Sequence, residues 1–298
     1  MRALTRAGSS ARAAAPRAGT LTEALAAPAG AVSFSCPIDL CLLENGRAYG
    51  SRRWNPATET ALSILQGARD AYEGSILARY YATWQPPDAA SAVIGLPRSA
   101  RGLRTLPAHG FYVVPWRNAS PADVLSDAER WHARDLLEHG HRLLGIERVG
   151  FNGHGPVSVA LGRAEYGRIS RLVRSIAQHG FVHDAGAAGD SGIRVEVLWR
   201  GQEPRFIIRG GLHRTAVLDA YGHSHVPATL YTTKAADVAD AADWPQVRSG
   251  LWTRDEAARY VDHLFDFDSR HWAAARGLCA KGAAPAQPRH LSLALRHD

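Results

Sequence analysis

The residues with the clearest chemical potential lie in residues 205–230, RFIIRGGLHRTAVLDAYGHSHVPATL. The apolar start of this stretch is typical of a buried strand, and Gly210 and Gly211 separate it from a predicted helix. Glycines let the backbone approach a ligand closely, and the first amides of a helix attract anions. His213 and Arg214 lie in the first turn, where an arginine fork can donate two parallel hydrogen bonds to a phosphate. The stretch predicts a phosphate-binding turn, although an ordinary strand-to-helix turn with a solvated arginine would show the same spacing.

The elements around this turn predict a compact unit of strand, helix, strand, strand, helix and strand. Residues 156–160 predict a short strand, and residues 165–179 carry apolar side chains at helical spacing before Gly180. Alternating apolar residues from Ile193 predict a hairpin, and residues 226–230 predict the last strand. The pattern indicates an α+β fold that positions the glycine turn between a strand and a helix.

The rest of the chain is predicted to be helical, with a disordered tail at each terminus. Asn55 before Pro56 predicts a helix start, and the capping box from Thr253 to Glu256 predicts another. A further helix is expected after Ser120, with Trp131 among its buried residues. We expect disordered tails and helical regions around the α+β domain, at these boundaries: tail 1–30, mainly helical region 40–150, α+β domain 151–232, helical extension 233–279 and tail 280–298.

Composition limits the classes of function. The chain of 298 residues is 46% apolar, and no run of 18 apolar residues predicts a membrane span. Its three cysteines are too few for a disulfide scaffold, so a reducing compartment, the cytoplasm, is expected. Of the net charge of +7, the two tails hold +3 and +2. The nearly neutral centre therefore makes nucleic acid a less favoured partner than a small molecule, and the oligomeric state is left open.

The glycine turn resembles the signature of the ParB/sulfiredoxin superfamily, in which a Gly-x-His-Arg box precedes a helix and a Val-Pro pair lies in the next strand. The matching residues are Gly211, His213, Arg214, Ala216, Gly222, Val226 and Pro227. The upstream helix is similar to the family's Ser-Ile-x-x-x-Gly segment at Ser175, Ile176 and Gly180. The resemblance covers about 80 residues and implies a ParB/sulfiredoxin-like domain at the centre of the α+β fold.

The resemblance implies that Gly210, Gly211, His213 and Arg214 bind the phosphates of ATP or another nucleoside phosphate. Sulfiredoxins carry a catalytic cysteine where this chain has Leu212, which excludes their chemistry. The chain is most similar to the free serine kinases, which place an acidic residue in the loop or first turn before the upstream helix.

Glu165 occupies the corresponding place. A carboxylate there could act as the general base in phosphoryl transfer to a small hydroxylated acceptor. A simple helix-dipole interaction of the same carboxylate is an open alternative.

The sequence also contains weaker candidates for metal ligands and substrate contacts. Mg²⁺ is expected with the nucleotide, and Asp262, Asp266 and Asp268 are candidate ligands or merely solvated acids. Aromatic residues of the N-terminal region, with Arg79 and Gln85, could contact a substrate, although a packed core explains the aromatics equally well. The functional alternatives are a nucleotide-dependent regulatory or DNA-binding module without turnover, and a ParB-like nuclease with an acidic metal cluster near the glycine turn.

Overall fold

The computed structural model describes residues 16–51, 53–67, 71–138, 145–181 and 192–280. In these ranges a seven-stranded mixed sheet is combined with ten α-helices, which confirms the α+β class. The strands are β1 (Arg17–Ala18), β2 (Val32–Pro37), β3 (Cys41–Leu42), β4 (Ile193–Arg200), β5 (Glu203–Gly210), β6 (His225–Leu230) and β7 (Ala236–Asp237). The helices are α1 (Leu21–Ala26), α2 (Pro56–Leu65), α3 (Ile76–Thr83), α4 (Pro121–Glu138), α5 (Ile146–Val149), α6 (Val159–His179), α7 (Leu212–Ala220), α8 (Pro245–Arg248), α9 (Arg254–Asp266) and α10 (Ser269–Ala274).

The sheet has the order β1-β2-β6-β4-β5-β3, and β7 pairs with β4 beyond the end of β6. The predicted hairpin is present, since β4 and β5 run antiparallel with Arg200 opposite Glu203. Strand β6 is parallel to β4, and β2 is antiparallel to β6. Residues 40–150, which were expected to be mainly helical, also supply the short strand β3, and β1 and β2 come from the residues before that region.

Alternation along the central strands gives the sheet two apolar faces. In β4, Val195 and Val197 belong to the core shared with Leu218 of α7, whereas Leu198 belongs to the core shared with Tyr260 of α9. A third core joins α2, α3, α6 and α10 to the buried side of α7. Helix α7 is therefore packed on both sides, which fixes the position of its N-terminus.

Helix α6 begins earlier than the sequence indicated, and the predicted strand over residues 156–160 is wrong. The side chain of Ser158 accepts a hydrogen bond from the Leu161 amide at 3.2 Å and caps the helix, which then starts at Val159. Glu165 consequently lies in the second turn of α6, and not in a loop or first turn as expected. Glu165 is only 3% exposed, so its carboxylate is not simply a solvated group that interacts with the helix dipole.

Part of the N-terminal tail is ordered. Residues 16–30, which were assigned to a disordered tail, contain β1 and α1, and Thr20 and Glu23 form a capping box at the start of α1. The packing of Ala24 against the central core explains this order, because the tail segment buries apolar surface there. The C-terminal tail from residue 281 lies outside the described residues. Among the helices that the structure describes, none is both long and apolar enough to cross a membrane.

Candidate functional site

One cavity of about 760 Å³ brings the predicted site residues together. Its lining includes Gly210, Gly211, His213 and Arg214 at the junction of β5 and α7, and Glu165 from α6. Helix α4 and the 3₁₀ turn Ala108–Tyr112 supply the opposite wall. The cavity therefore lies between the α+β unit and the N-terminal region, and both contribute residues to it.

The β5–α7 turn depends on its second glycine. Gly211 has φ +78°, and a Cβ atom there would lie 3.0 Å from the Gly192 carbonyl oxygen and 2.9 Å from Ile193 Cγ1. A side chain is therefore excluded both by backbone conformation and by space. The Thr215 amide donates the first intrahelical bond to the Gly211 carbonyl, and no side chain caps the helix. The preceding amides of α7 have no acceptor within the helix, and amides at such a helix start are suited to bind an anion.

Glu165 joins the side chains of His213 and Arg168 across the floor of the cavity. Its Oε2 lies 3.0 Å from Nε2 of His213, and its Oε1 accepts a hydrogen bond from Arg168 at 3.2 Å. Arg168 also donates to Asp135 of α4 at 2.5 Å. The contacts Asp135–Arg168–Glu165–His213 thus form a continuous chain from α4 to α7, which we call the charge chain.

The charge chain keeps Glu165 ionised. Burial acts to raise the pKa of this carboxyl, but His213 and Arg168 outweigh it and lower the pKa from 4.5 to about 2. A carboxylate with so low a pKa is a weak base by itself. His213 Nδ1 makes no hydrogen bond to the described residues, so the imidazole that Glu165 orients has its second ring nitrogen available for proton transfer.

The described lining of the cavity is strongly cationic. It contains eight arginines against three carboxylates, which are Glu44, Asp135 and Glu165. Glu44 is buried in an ion pair with Arg209, and its Oε1 also lies 3.6 Å from a guanidinium nitrogen of Arg117. The excess of arginine in this cavity favours a ligand that carries several negative charges, and arginine forks suit phosphate oxygens.

The end of the cavity under α4 is aromatic. Its residues, which we call the aromatic end, are Phe111, Tyr112, Trp131, His132 and Phe151. Tyr112 and Trp131 meet edge to face with ring centroids 6.3 Å apart, and the His132 and Phe151 centroids are 5.4 Å apart. Trp131 was expected in the core but is 41% exposed, because this side of α4 faces the cavity and not another element.

Other sequence candidates lie elsewhere. Arg200 donates to Asp266 at 2.6 Å and to Asp262 at 3.3 Å, so these two acids are neutralised outside the cavity. The side chain of Asp268 caps α10. Arg79 and Gln85, named as substrate contacts, instead donate to nearby backbone carbonyls, and neither lines the cavity.

The carboxylates that line the cavity do not form a Mg²⁺ site among the described residues. Across the described ranges, no group of three or more His, Cys, Asp or Glu side chains could hold a metal ion. Each of the three cavity carboxylates is paired with arginine, so none is left as an unpaired anionic ligand.

The sequence missed Asp135, Arg168 and His132 as site residues, and it offered Trp131 only among the N-terminal aromatics that could contact a substrate or pack in a core. Arg168 lies three residues after Glu165, on the same side of α6, and this spacing was the one local signal available. His132 and Trp131 are separated from the glycine turn by about 80 residues, and only the packing of α4 brings them to the cavity.

Comparisons with family models, curated proteins and solved structures gave no match for this chain.

Proposed function

We propose that the chain has a ParB/sulfiredoxin-like core which binds a nucleoside phosphate and transfers its terminal phosphoryl group to a small hydroxylated acceptor. The succession of α6, β4, β5, α7 and β6, with Gly211, His213 and Arg214 at the β5–α7 turn, supports this family proposal. The observation that carries the functional proposal is the convergence of that turn and of eight arginines on one cavity. Amides of a helix start and arginine forks are both suited to phosphate oxygens.

The proposed chemistry uses Glu165 and His213 as a pair. The acceptor oxygen attacks the terminal phosphorus, a new P–O bond forms, and the bond to the bridging oxygen breaks to release the nucleoside diphosphate. The acceptor proton passes to Nδ1 of His213, while the Nε2–H of this ring stays bonded to Glu165 and the carboxylate stabilises the imidazolium. Arg214 and the α7 amides neutralise charge on the phosphates. This refines the expectation that Glu165 alone is the base.

Mg²⁺ has no step in this proposal, because the cavity carboxylates are already paired with arginine. A nuclease would need an acidic metal cluster beside the glycine turn, and the described residues provide none. No observation favours that alternative over phosphate binding.

The proposal is tested first by binding. Calorimetry with ATP, ADP, CTP and GTP, each with and without Mg²⁺, should detect binding of at least one nucleotide. Arg214→Ala should weaken this binding by about 10- to 100-fold, since a hydrogen bond to a charged group contributes roughly 1.5–3 kcal/mol. Arg163→Ala is the matched control, because Arg163 pairs with Glu73 on the outer side of α6 and does not line the cavity.

The second test is turnover, measured by ³¹P NMR with the bound nucleotide and a panel of small alcohols and hydroxy amino acids. Formation of a phosphomonoester supports the transferase. Binding without any turnover supports a regulatory module in its place. Unchanged affinity in Arg214→Ala, or no binding of any nucleotide by the wild-type chain, would contradict the phosphate site itself.

A further inference from the structure

The aromatic end is not explained by phosphate binding, which concerns the glycine turn and the arginine side chains of the cavity. The charge chain joins α4 to α7, since Asp135 belongs to α4 and His213 to α7. Asp135 lies three residues after His132 on α4, so both side chains lie on one side of that helix. A ligand that fills the cavity therefore meets both arginine side chains and aromatic rings.

His132 is a buried polar side chain at the cavity wall. Its residue is 4% exposed, and neither ring nitrogen makes a well-formed hydrogen bond to any described group. Burial lowers the pKa of this imidazole, while Asp135, Glu165 and the Gly150 backbone partly oppose the shift. A neutral imidazole offers one donor and one acceptor, which suits an uncharged polar ring better than an anion.

Trp131 provides an aromatic surface beside His132. Trp131 lines the cavity and is 41% exposed, and its ring is perpendicular to that of Tyr112. Because much of its surface is exposed, the indole can stack on a planar ring. Two charged residues of α4 also line the cavity: Asp135, which is paired with Arg168, and Arg134.

We infer that the aromatic end is the subsite for the planar heterocyclic ring of the bound nucleotide, where Trp131 stacks on the ring and His132 hydrogen-bonds to its edge. This inference rests on the proposed nucleotide binding and adds to it the residues that distinguish a nucleotide from a simple polyphosphate. It also assigns a role to the N-terminal region, which completes the site of the α+β unit.

The experiment compares inorganic tripolyphosphate with ATP, GTP, CTP and UTP by calorimetry on the full chain. The wild type should bind at least one nucleoside triphosphate about tenfold or more tightly than tripolyphosphate, because stacking of a base on an aromatic residue contributes roughly 1–3 kcal/mol. Trp131→Ala and His132→Phe should each remove most of this difference and leave the tripolyphosphate affinity unchanged. His132→Asn should retain part of the difference, since the amide keeps a donor and an acceptor.

Leu137→Ala and His109→Phe are the matched controls. Leu137 is an exposed apolar residue on the same helix, and His109 is a buried histidine packed on Phe151, but neither lines the cavity. Both should keep the wild-type preference. Because Trp131 is exposed, its alanine variant is expected to fold, and a thermal melt of each variant checks this.

The outcomes separate this inference from the proposed function. Equal affinity of the wild type for tripolyphosphate and for all four nucleotides would overturn the ring subsite and leave the phosphate site intact. Loss of tripolyphosphate and nucleotide binding to the same extent in Trp131→Ala would also overturn it. Absence of binding to either class of compound by the wild type would instead contradict the proposed function, and this inference would fail with it.

Discussion

Glu165 is the residue on which the chemistry of the cavity depends most directly. A buried carboxylate is normally costly unless it is paired and hydrogen-bonded, and Glu165 satisfies both conditions through His213 and Arg168. With a pKa of about 2, it remains ionised at every pH above about 4. Its constant negative charge holds the imidazole of His213 in one orientation toward the cavity.

Replacing Glu165 by Gln tests this role. The substitution keeps the size of the side chain but removes the charge that stabilises a protonated His213. We expect turnover to fall by about 10²- to 10⁴-fold, the usual contribution of general acid–base catalysis, whereas nucleotide affinity should change by less than about fivefold. Rapid-quench kinetics and calorimetry on the same preparation measure the two effects.

Glu147→Gln is the control for Glu165→Gln, because Glu147 is exposed in α5 and does not line the cavity. It should leave both quantities unchanged. Wild-type turnover in Glu165→Gln would remove the Glu165–His213 pair from the proton transfer. In the wild type, any loss of activity observed between pH 8 and pH 5 must arise from a group other than Glu165, since its pKa is about 2.

At the scale of elements, the turn between β5 and α7 decides where the anion site lies. Gly211 places the first amides of α7 beside the cavity and packs against the backbone of Gly192 and Ile193. Any side chain at this position would push the helix away from β4. The geometry of the site is therefore coupled to the stability of the sheet.

Gly211→Ala should accordingly lower both stability and affinity. A non-glycine residue at φ +78° is strained, and the new methyl group would lie 3.0 Å from the Gly192 carbonyl oxygen, so we expect a loss of about 2–3 kcal/mol in the free energy of unfolding. Gly201→Ala is the matched comparison: Gly201 has φ +62° in the hairpin turn but open space around its Cα. It should cost about 1 kcal/mol and leave nucleotide affinity unchanged, as measured by urea denaturation and calorimetry. Equal losses of stability in the two variants would contradict the close contact at Gly211.

Elements with local signals were predictable from the sequence, and those that depend on distant packing were not. The capping box of Thr253 and Glu256 starts α9, and Asn55 caps α2, because each motif acts within one turn. By contrast, Ser158 began α6 within residues predicted as a strand. The partner of β2 is β6, some 190 residues later, and no local pattern in residues 32–37 identifies it.

At the scale of the molecule, the candidate site could be predicted only in part. The glycine turn is visible in the sequence because its residues are adjacent and their types are distinctive. The contact of Glu165 with His213 joins residues 48 apart, and its geometry follows from the packing of α6 against α7. The position of Trp131 was misjudged because helical periodicity does not distinguish a face that meets another helix from one that meets a cavity.

The whole molecule also carries a set of buried histidines that couples its stability to pH. His109, His132 and His154 surround the ring of Phe151, and each is less than 9% exposed. Burial lowers the pKa of all three, to about 4 for His154. The folded state therefore resists protonation of these rings, while the unfolded chain accepts protons below a pH of about 6.5.

A histidine whose pKa is lower in the folded chain than in the unfolded chain contributes to the free energy of unfolding. The contribution is fully present at a pH above the pKa of the unfolded chain, and it is lost as the pH falls toward the pKa of the folded chain. For His154 the window runs from about pH 6.5 to about pH 4, and the expected loss across it is about 3 kcal/mol. Asp219 acts in the opposite direction, since burial raises its pKa to about 6 and its protonation favours the folded state as the pH falls. Comparison of a variant with the wild type at each pH cancels the contribution of Asp219.

His154→Asn is the variant that isolates the effect. Nδ1 of His154 lies 2.9 Å from the Gly155 carbonyl, and the asparagine amide can donate to the same oxygen without a titrating group. Relative to the wild type, the variant should therefore gain about 2–3 kcal/mol in the free energy of unfolding between pH 7 and pH 4.5, as measured by urea denaturation at a series of pH values. His225→Asn changes an imidazole that is exposed in the folded chain, and it should follow the wild type throughout. Parallel pH profiles for the wild type and His154→Asn would show that His154 takes up its proton equally well in the folded and unfolded states, contrary to its burial beside Phe151.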